Sequence, residues 1–186
     1  MDTLQNISLL KRVFHWMLAS SFVVLSITGL TQIDYAHILF GHLLFALVIT
    51  RIVFGVFAKK SDLFLGMYFY KIKELLHHLK ELFSQPNNDI HIHNPAGGYM
   101  ILTMLVFLII TLSTGLLSEG VIEFSGIFSF LANEFDNQAV SAIKLAHKVS
   151  SYILLGLSTL HVTGVLFSSY KSKKNLSLMM INGHIK

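Results

Sequence analysis

No cysteine occurs among the 186 residues. That absence excludes disulfides, iron–sulfur clusters held by thiolates, and covalent c-type haem attachment, which needs C-x-x-C-H. Charge is also scarce, at 13% of residues, where a soluble domain carries about 25%. The formal net charge of +4 comes from basic residues beside apolar runs, so it reads as a topology signal and not as a nucleic-acid footprint. The chain has no strand-like alternation, no internal repeat and no low-complexity tract. No nucleophile, general acid or phosphate loop stands out, so bond-making catalysis is not supported and an electron carrier fits better than a stand-alone enzyme.

What the chain has instead is long hydrophobic runs, with 53% of residues hydrophobic. Four runs reach the roughly 20 residues needed to cross a bilayer: Val13–Leu30, Tyr35–Phe57, Tyr99–Leu117 and Leu145–Phe167. The first carries His15 and Trp16 and lacks a small-x-small cleavage site, so it reads as a retained helix and not as a signal peptide. Lys11, Arg12, Lys59, Lys60, Lys71, Lys73, Lys80, Lys171, Lys173, Lys174 and Lys186 flank one side. The opposite loops hold Lys144 with Asp34, Glu119, Glu123, Glu134 and Asp136. The positive-inside rule then puts both termini of a multi-pass membrane protein in the cytoplasm.

The fold class expected is all-α, a transmembrane four-helix bundle, with residues 1–186 forming a single transmembrane domain. The inner loop from Ala58 to Ala96 contains Tyr68–Leu79, where aromatic or leucine residues alternate with lysine, as in a helix lying in the cytoplasmic interface. Gln85–Asp89 with Pro86 is a polar turn. The outer loop from Ser118 to Lys144 contains Val121–Phe128, an interfacial segment suited to capping an outer site. Trp16 and the tyrosines fit an interfacial belt.

His15, His37, His147 and His161 lie in or beside these runs. His147 and His161 are 14 residues apart, about 21 Å along a helix and near a whole number of turns. One helix therefore presents two imidazoles on one side at two depths. In an up-down-up-down arrangement His15 shares a depth with His161, and His37 with His147. Neutral imidazole is the usual axial ligand of haem iron, so the pattern reads as sites for two non-covalent b haems. A lone histidine in a membrane helix is often only an interhelical hydrogen bond. Two depth-matched pairs are harder to explain that way. His42, five residues after His37, points to another face and reads as structural. His77, His78, His91, His93 and His184 fall in polar inner segments.

Other residues follow the same spacing. Gly29 is 14 residues after His15, and Gly41 is one turn from His37. With Gly115, they would allow a porphyrin edge to approach the backbone closely. Gly97–Gly98 provides a small position at the inner end of the third span. Arg51, 14 residues after His37, would sit at the inner depth, where a propionate or a quinone is a natural partner for a buried guanidinium.

Taken together, Phe14-His15-Trp16-Met17-Leu18 with Thr28-Gly29, His37 to Arg51, His93-Asn94-Pro95-Ala96-Gly97-Gly98, His147, His161 and the closing Leu178–Gly183 resemble the bacterial cytochrome b561 family. That family includes the b-type subunits of nickel–iron hydrogenases, and the resemblance spans nearly the whole chain. It implies two b haems ligated by His15, His37, His147 and His161, exchange with the quinone pool, and a partner redox protein. The function expected is electron transfer across the inner membrane between quinone and a periplasmic partner such as a c-type cytochrome. The alternatives are the membrane anchor of a hydrogenase or other dehydrogenase, and a superoxide-oxidising quinone reductase, which the acidic outer loops disfavour. Oligomeric state stays open, a homodimer included.

Overall fold

The computed structural model describes residues 7–84 and 95–184. The expected turn at Gln85–Asp89, together with His91, His93 and Asn94, lies outside the described residues. Among the described residues there are six α-helices, two short 3-10 turns and no strand. The helices are α1 (Leu9–Thr31), α2 (Asp34–Phe57), α3 (Ile72–Ser84), α4 (Pro95–Ile122), α5 (Asn137–Ser172) and α6 (Leu176–Asn182).

Helices α1, α2, α4 and α5 are long and apolar enough to cross a membrane. Helices α1, α4 and α5 run well beyond their hydrophobic runs because end signals extend them, while α2 gains only Asp34. Ser8 caps α1, its Oγ accepting from Lys11 N–H at 3.2 Å. Pro95 opens α4, where a missing N–H costs nothing. Asp136 caps α5 by accepting from Ala139 N–H at 2.8 Å. The outer loop expected from Ser118 to Lys144 is therefore shorter. Both of its ends are helical, and Glu119 and Lys144 stand on helices. Val121, expected in an interfacial segment, is a buried residue in the last turn of α4. Beyond it the chain turns through Phe124 and Gly126, both at positive φ. Phe128 then lies so close to Gly120 that a Cβ there would overlap its backbone.

The helix expected in the inner loop also begins later than Tyr68. Leu65–Tyr68 is a 3-10 turn and α3 starts at Ile72. Tyr68 is buried, so it is no belt residue. Phe69, Ile72 and Leu76 are exposed. Helix α6 was not expected, although its end signals are ordinary ones. Asn175 caps its start, accepting from Leu178 N–H at 2.9 Å, and Gly183 ends it at φ 86°.

The residues group into two compact units. The first comprises Met1–Trp16, Arg51–Thr103 and Leu157–Lys186. Within it, Ile7 N–H donates to Gly183 O at 2.8 Å, Arg12 donates to Ile181 O, and Trp16 Nε1 donates to Met180 O at 2.9 Å. Asp62 accepts from both Ser8 N–H (3.0 Å) and Ser8 Oγ (2.7 Å). Burial alone would push the Asp62 carboxyl up, but the two bonds from Ser8 and the nearby Lys11 outweigh it and hold it below the usual carboxylate range. The second unit comprises Met17–Thr50 and Met104–Gly156. Leu44, Val48, Leu112, Leu116 and Val121 form its buried apolar core. Many outward residues on the long helices remain bare, Leu30 (66% exposed) and Leu160 (57%) among them. Sides this apolar need a nonaqueous surrounding.

Candidate functional site

In the second unit the imidazoles of His37 and His147 face each other, with ring centroids 6.3 Å apart and planes 86° apart. Helix α2 supplies one ring and α5 the other. Both rings are gripped by the same local device. Thr28 Oγ1 donates to Val24 O at 2.8 Å, which leaves its oxygen to accept from His37 Nδ1 at 3.2 Å. The carbonyl of Leu25 also accepts from His37. On α4, Thr114 Oγ1 donates to Ile110 O at 2.7 Å and lies 3.5 Å from His147 Nδ1, while Thr111 O accepts from that nitrogen at 2.9 Å. Carbonyl oxygen only accepts, and the Thr28 hydroxyl hydrogen is already given to Val24 O, so Nδ1 of each ring carries the proton and Nε2 keeps its lone pair.

Each threonine is followed by glycine, and each glycine lies against the same ring. A Cβ at Gly29 would come within 3.0 Å of His37 Cε1, and one at Gly115 within 2.9 Å of His147 Cε1. The close approach at these two positions is therefore made by the imidazoles. A Cβ at Gly41 would meet nothing within 4 Å. The Thr-Gly dipeptides were visible in the sequence as small positions. Their hold on Nδ1 was missed, although Leu25-x-x-Thr28-Gly29 and Thr111-x-x-Thr114-Gly115 have the same spacing of contact residues.

In the first unit His15, from α1, faces His161, from α5, with centroids 6.5 Å apart and planes 54° apart. His15 also stands edge-on to Trp16, at 5.4 Å and 80°, and Trp16 is the residue tied to Met180. All four histidines are partly buried. The sequence thus paired the correct rings, one partner of each pair coming from α5.

Arg51 belongs to the first unit and is 8% exposed. Its Nη1 donates to Leu63 O at 2.6 Å, and a side-chain hydrogen bond links it to Tyr68. Its described partners are thus in the segment after α2. His42 does turn away from His37. Its Nε2 lies 3.3 Å from Glu119 Oε2, and its Nδ1 lies 3.0 Å from Ile38 O.

An imidazole nitrogen binds a first-row metal at about 2.0–2.1 Å and lies about 1.1 Å from its ring centre, so two imidazoles sharing one metal have centroids about 6.3 Å apart. Both pairs fit that spacing. Among the described residues no group of three or more His, Cys, Asp or Glu could hold a metal ion. Two-ligand sites of this kind suit a metal whose other positions are filled by a macrocycle.

The family model for prokaryotic cytochrome b561 matches residues 6–183. The chain belongs to that family. It is an integral membrane cytochrome of the b type, and its chemistry is electron transfer. Neither the curated proteins nor the solved structures compared with this cytochrome gave a match. The matched range takes in both histidine pairs of the cytochrome, both Thr-Gly steps and the α6 strap.

Proposed function

We propose that this cytochrome binds two b haems, one between His15 and His161 and one between His37 and His147, within a single transmembrane domain. It passes electrons across the bacterial inner membrane between the quinone pool and a periplasmic redox partner. The observation that carries this reading is the centroid spacing of 6.3 Å and 6.5 Å in the two pairs. A bound b haem supplies one reversible electron through its iron.

The chain's own residues prepare that chemistry. Thr28, Leu25 and Thr111 hold Nδ1–H, which fixes the ring tautomer and raises the basicity of Nε2. Arg51 places a cation in the unit of His15 and His161, which favours the reduced, less positive state of a group held there. With Lys and Arg flanks on the cytoplasmic side, the second unit faces the periplasm and α3 lies in the cytoplasmic interface. Purified protein should yield two b haems per chain in a pyridine haemochrome assay. One haem or none overturns the reading.

The periplasmic partner would meet the segment 123–136, which carries Glu123, Glu134 and Asp136. Glu119 no longer counts in that patch, because it is largely buried against His42. An acidic face steers a basic partner such as a c-type cytochrome, and exchange with it slows as salt rises. A second reading has its own support. Phe124, Ile127 and Phe130 are exposed on the same segment, as an anchor for a permanently docked hydrogenase or dehydrogenase requires. Stopped-flow rates that do not change with salt favour the anchor.

A further inference from the structure

The His42–Glu119 contact is an ionisable pair between two membrane-spanning helices, and the ligand pairs do not use it. His42 Nδ1 faces the Ile38 carbonyl at 3.0 Å, and His42 Nε2 faces the Glu119 carboxylate at 3.3 Å. Both ring nitrogens therefore face oxygen acceptors. A neutral imidazole has one N–H and cannot satisfy both. A second proton on the Nε2–Oε2 contact, on the ring or on the carboxyl, would satisfy both. With that proton the pair is neutral overall. Without it, two lone pairs oppose each other and the pair carries one uncompensated negative charge in an apolar span, an expensive state.

The pair has few competitors. Ser125 Oγ reaches Glu119 Oε1 at 3.4 Å, and the Glu119 carboxylate is wrapped by the turn at Gly126. The other charged residues of the second unit are Asp34, Glu123, Glu134, Asp136, Lys144 and Lys148. Among the described residues no further ion pair to His42 or Glu119 occurs. Glu123 is the next acid along the chain, just past the end of α4, and Asp34 stands at the start of α2, two turns from His42. Access is one-sided: the His42 side chain is 36% exposed and that of Glu119 11%.

The pair is also close to the ligand imidazoles. Glu119 is four residues beyond Gly115, about 6 Å along the helix, and Gly115 lies against the His147 ring. A unit charge about 10 Å away, at an effective dielectric near 20, changes a proton equilibrium on the order of tenfold.

We infer that His42 and Glu119 form a proton-binding site whose occupancy follows the redox state of the group held by His37 and His147. An electron arriving in the second unit is accompanied by proton uptake at this pair, and its departure by proton release. Linkage is reciprocal, so protonation in turn raises the potential. This rests on the haem reading above. The step balances as one electron gained at the metal and one proton gained at the Nε2–Oε2 contact.

The test is a spectroelectrochemical titration of the haem-loaded protein over a range of pH, in the wild type, Glu119→Gln and His42→Gln. Each variant keeps hydrogen-bonding shape but removes one of the two groups that share the proton, so the Nε2–Oε2 site is lost in both. In the wild type the potential assigned to His37/His147 should fall with rising pH, by up to about 59 mV per unit for one proton per electron. That slope should flatten in both variants, while the potential of the His15/His161 site keeps its own dependence. A redox-difference infrared spectrum should contain a carboxyl signal that Glu119→Gln removes. Two haems with unchanged slopes in both variants overturn this inference alone. A wild-type protein with no haem at His37/His147 overturns both this inference and the haem reading.

Discussion

His37 and His147 are each locked by a threonine, a carbonyl and a glycine on a neighbouring helix, and their planes stand at 86°. His15 and His161 stand at 54°, with Trp16 edge-on to His15 and the last helix bonded back onto α1. One pair is oriented by backbone within long helices, the other by a strap in which α6 is bonded to Arg12 and Trp16 of α1. The same side chain is thus given two kinds of support. Axial ring orientation controls the splitting of the iron d orbitals, so the near-perpendicular pair should give the more anisotropic low-spin ferric EPR signal.

The largest effects should come from removing one ligand at a time. His37→Ala or His147→Ala should abolish only the second-unit haem, and His15→Ala or His161→Ala only the first-unit one. His42→Ala should retain both. Haemochrome stoichiometry with redox titration reads the outcome, and a haem lost in His42→Ala would reverse the assignment on α2. Next come the glycines, which grade the support in the second unit. Gly115→Ala must displace the His147 ring, Gly29→Ala crowds His37 less, and Gly41→Ala meets nothing. Only the EPR signal of the perpendicular pair should move, in that order, and a large change in Gly41→Ala would contradict it.

Arg51→Leu should act on the first unit. It leaves Leu63 O without its donor, at a cost of about 1–3 kcal/mol. Loss of the cation should also lower the potential of the His15/His161 haem, since it favours the more positive oxidised iron. Thermal melts and redox titration separate the two effects, and an unchanged potential would leave Arg51 with the loop clamp alone. The smallest effect concerns Asp62. Its carboxyl is held below the ordinary range when folded, so its contribution is present above that range and fades as pH falls through it. Asp62→Asn should flatten the acid end of the melting curve, and coincident wild-type and variant curves would remove Asp62 from the account.

The four spans and the four paired histidines could be read from the sequence because apolar length and a 14-residue spacing are properties of one helix each. Helix ends were harder. Ser8, Pro95 and Asp136 extend the helices into polar sequence, where hydropathy gives no signal. The His42–Glu119 contact was out of reach, because it joins residues 77 positions apart and depends on how α4 continues past Ser118. Arg51 was placed in the correct unit by its spacing, but its partners Leu63 and Tyr68 lie in an irregular segment that periodicity does not describe.

The α6 strap has a consequence for the order in which the protein is made. Synthesis runs from the N-terminus, and domains tend to fold as their sequence emerges. Every residue of the second unit has been polymerised once Gly156 is in place. The first unit cannot close until Met180, Ile181 and Gly183 arrive to meet Trp16, Arg12 and Ile7. Helix α1 must therefore wait for its last partners until α6 has been made, and a ribosome stalled just before α6 would display one finished unit and one open one.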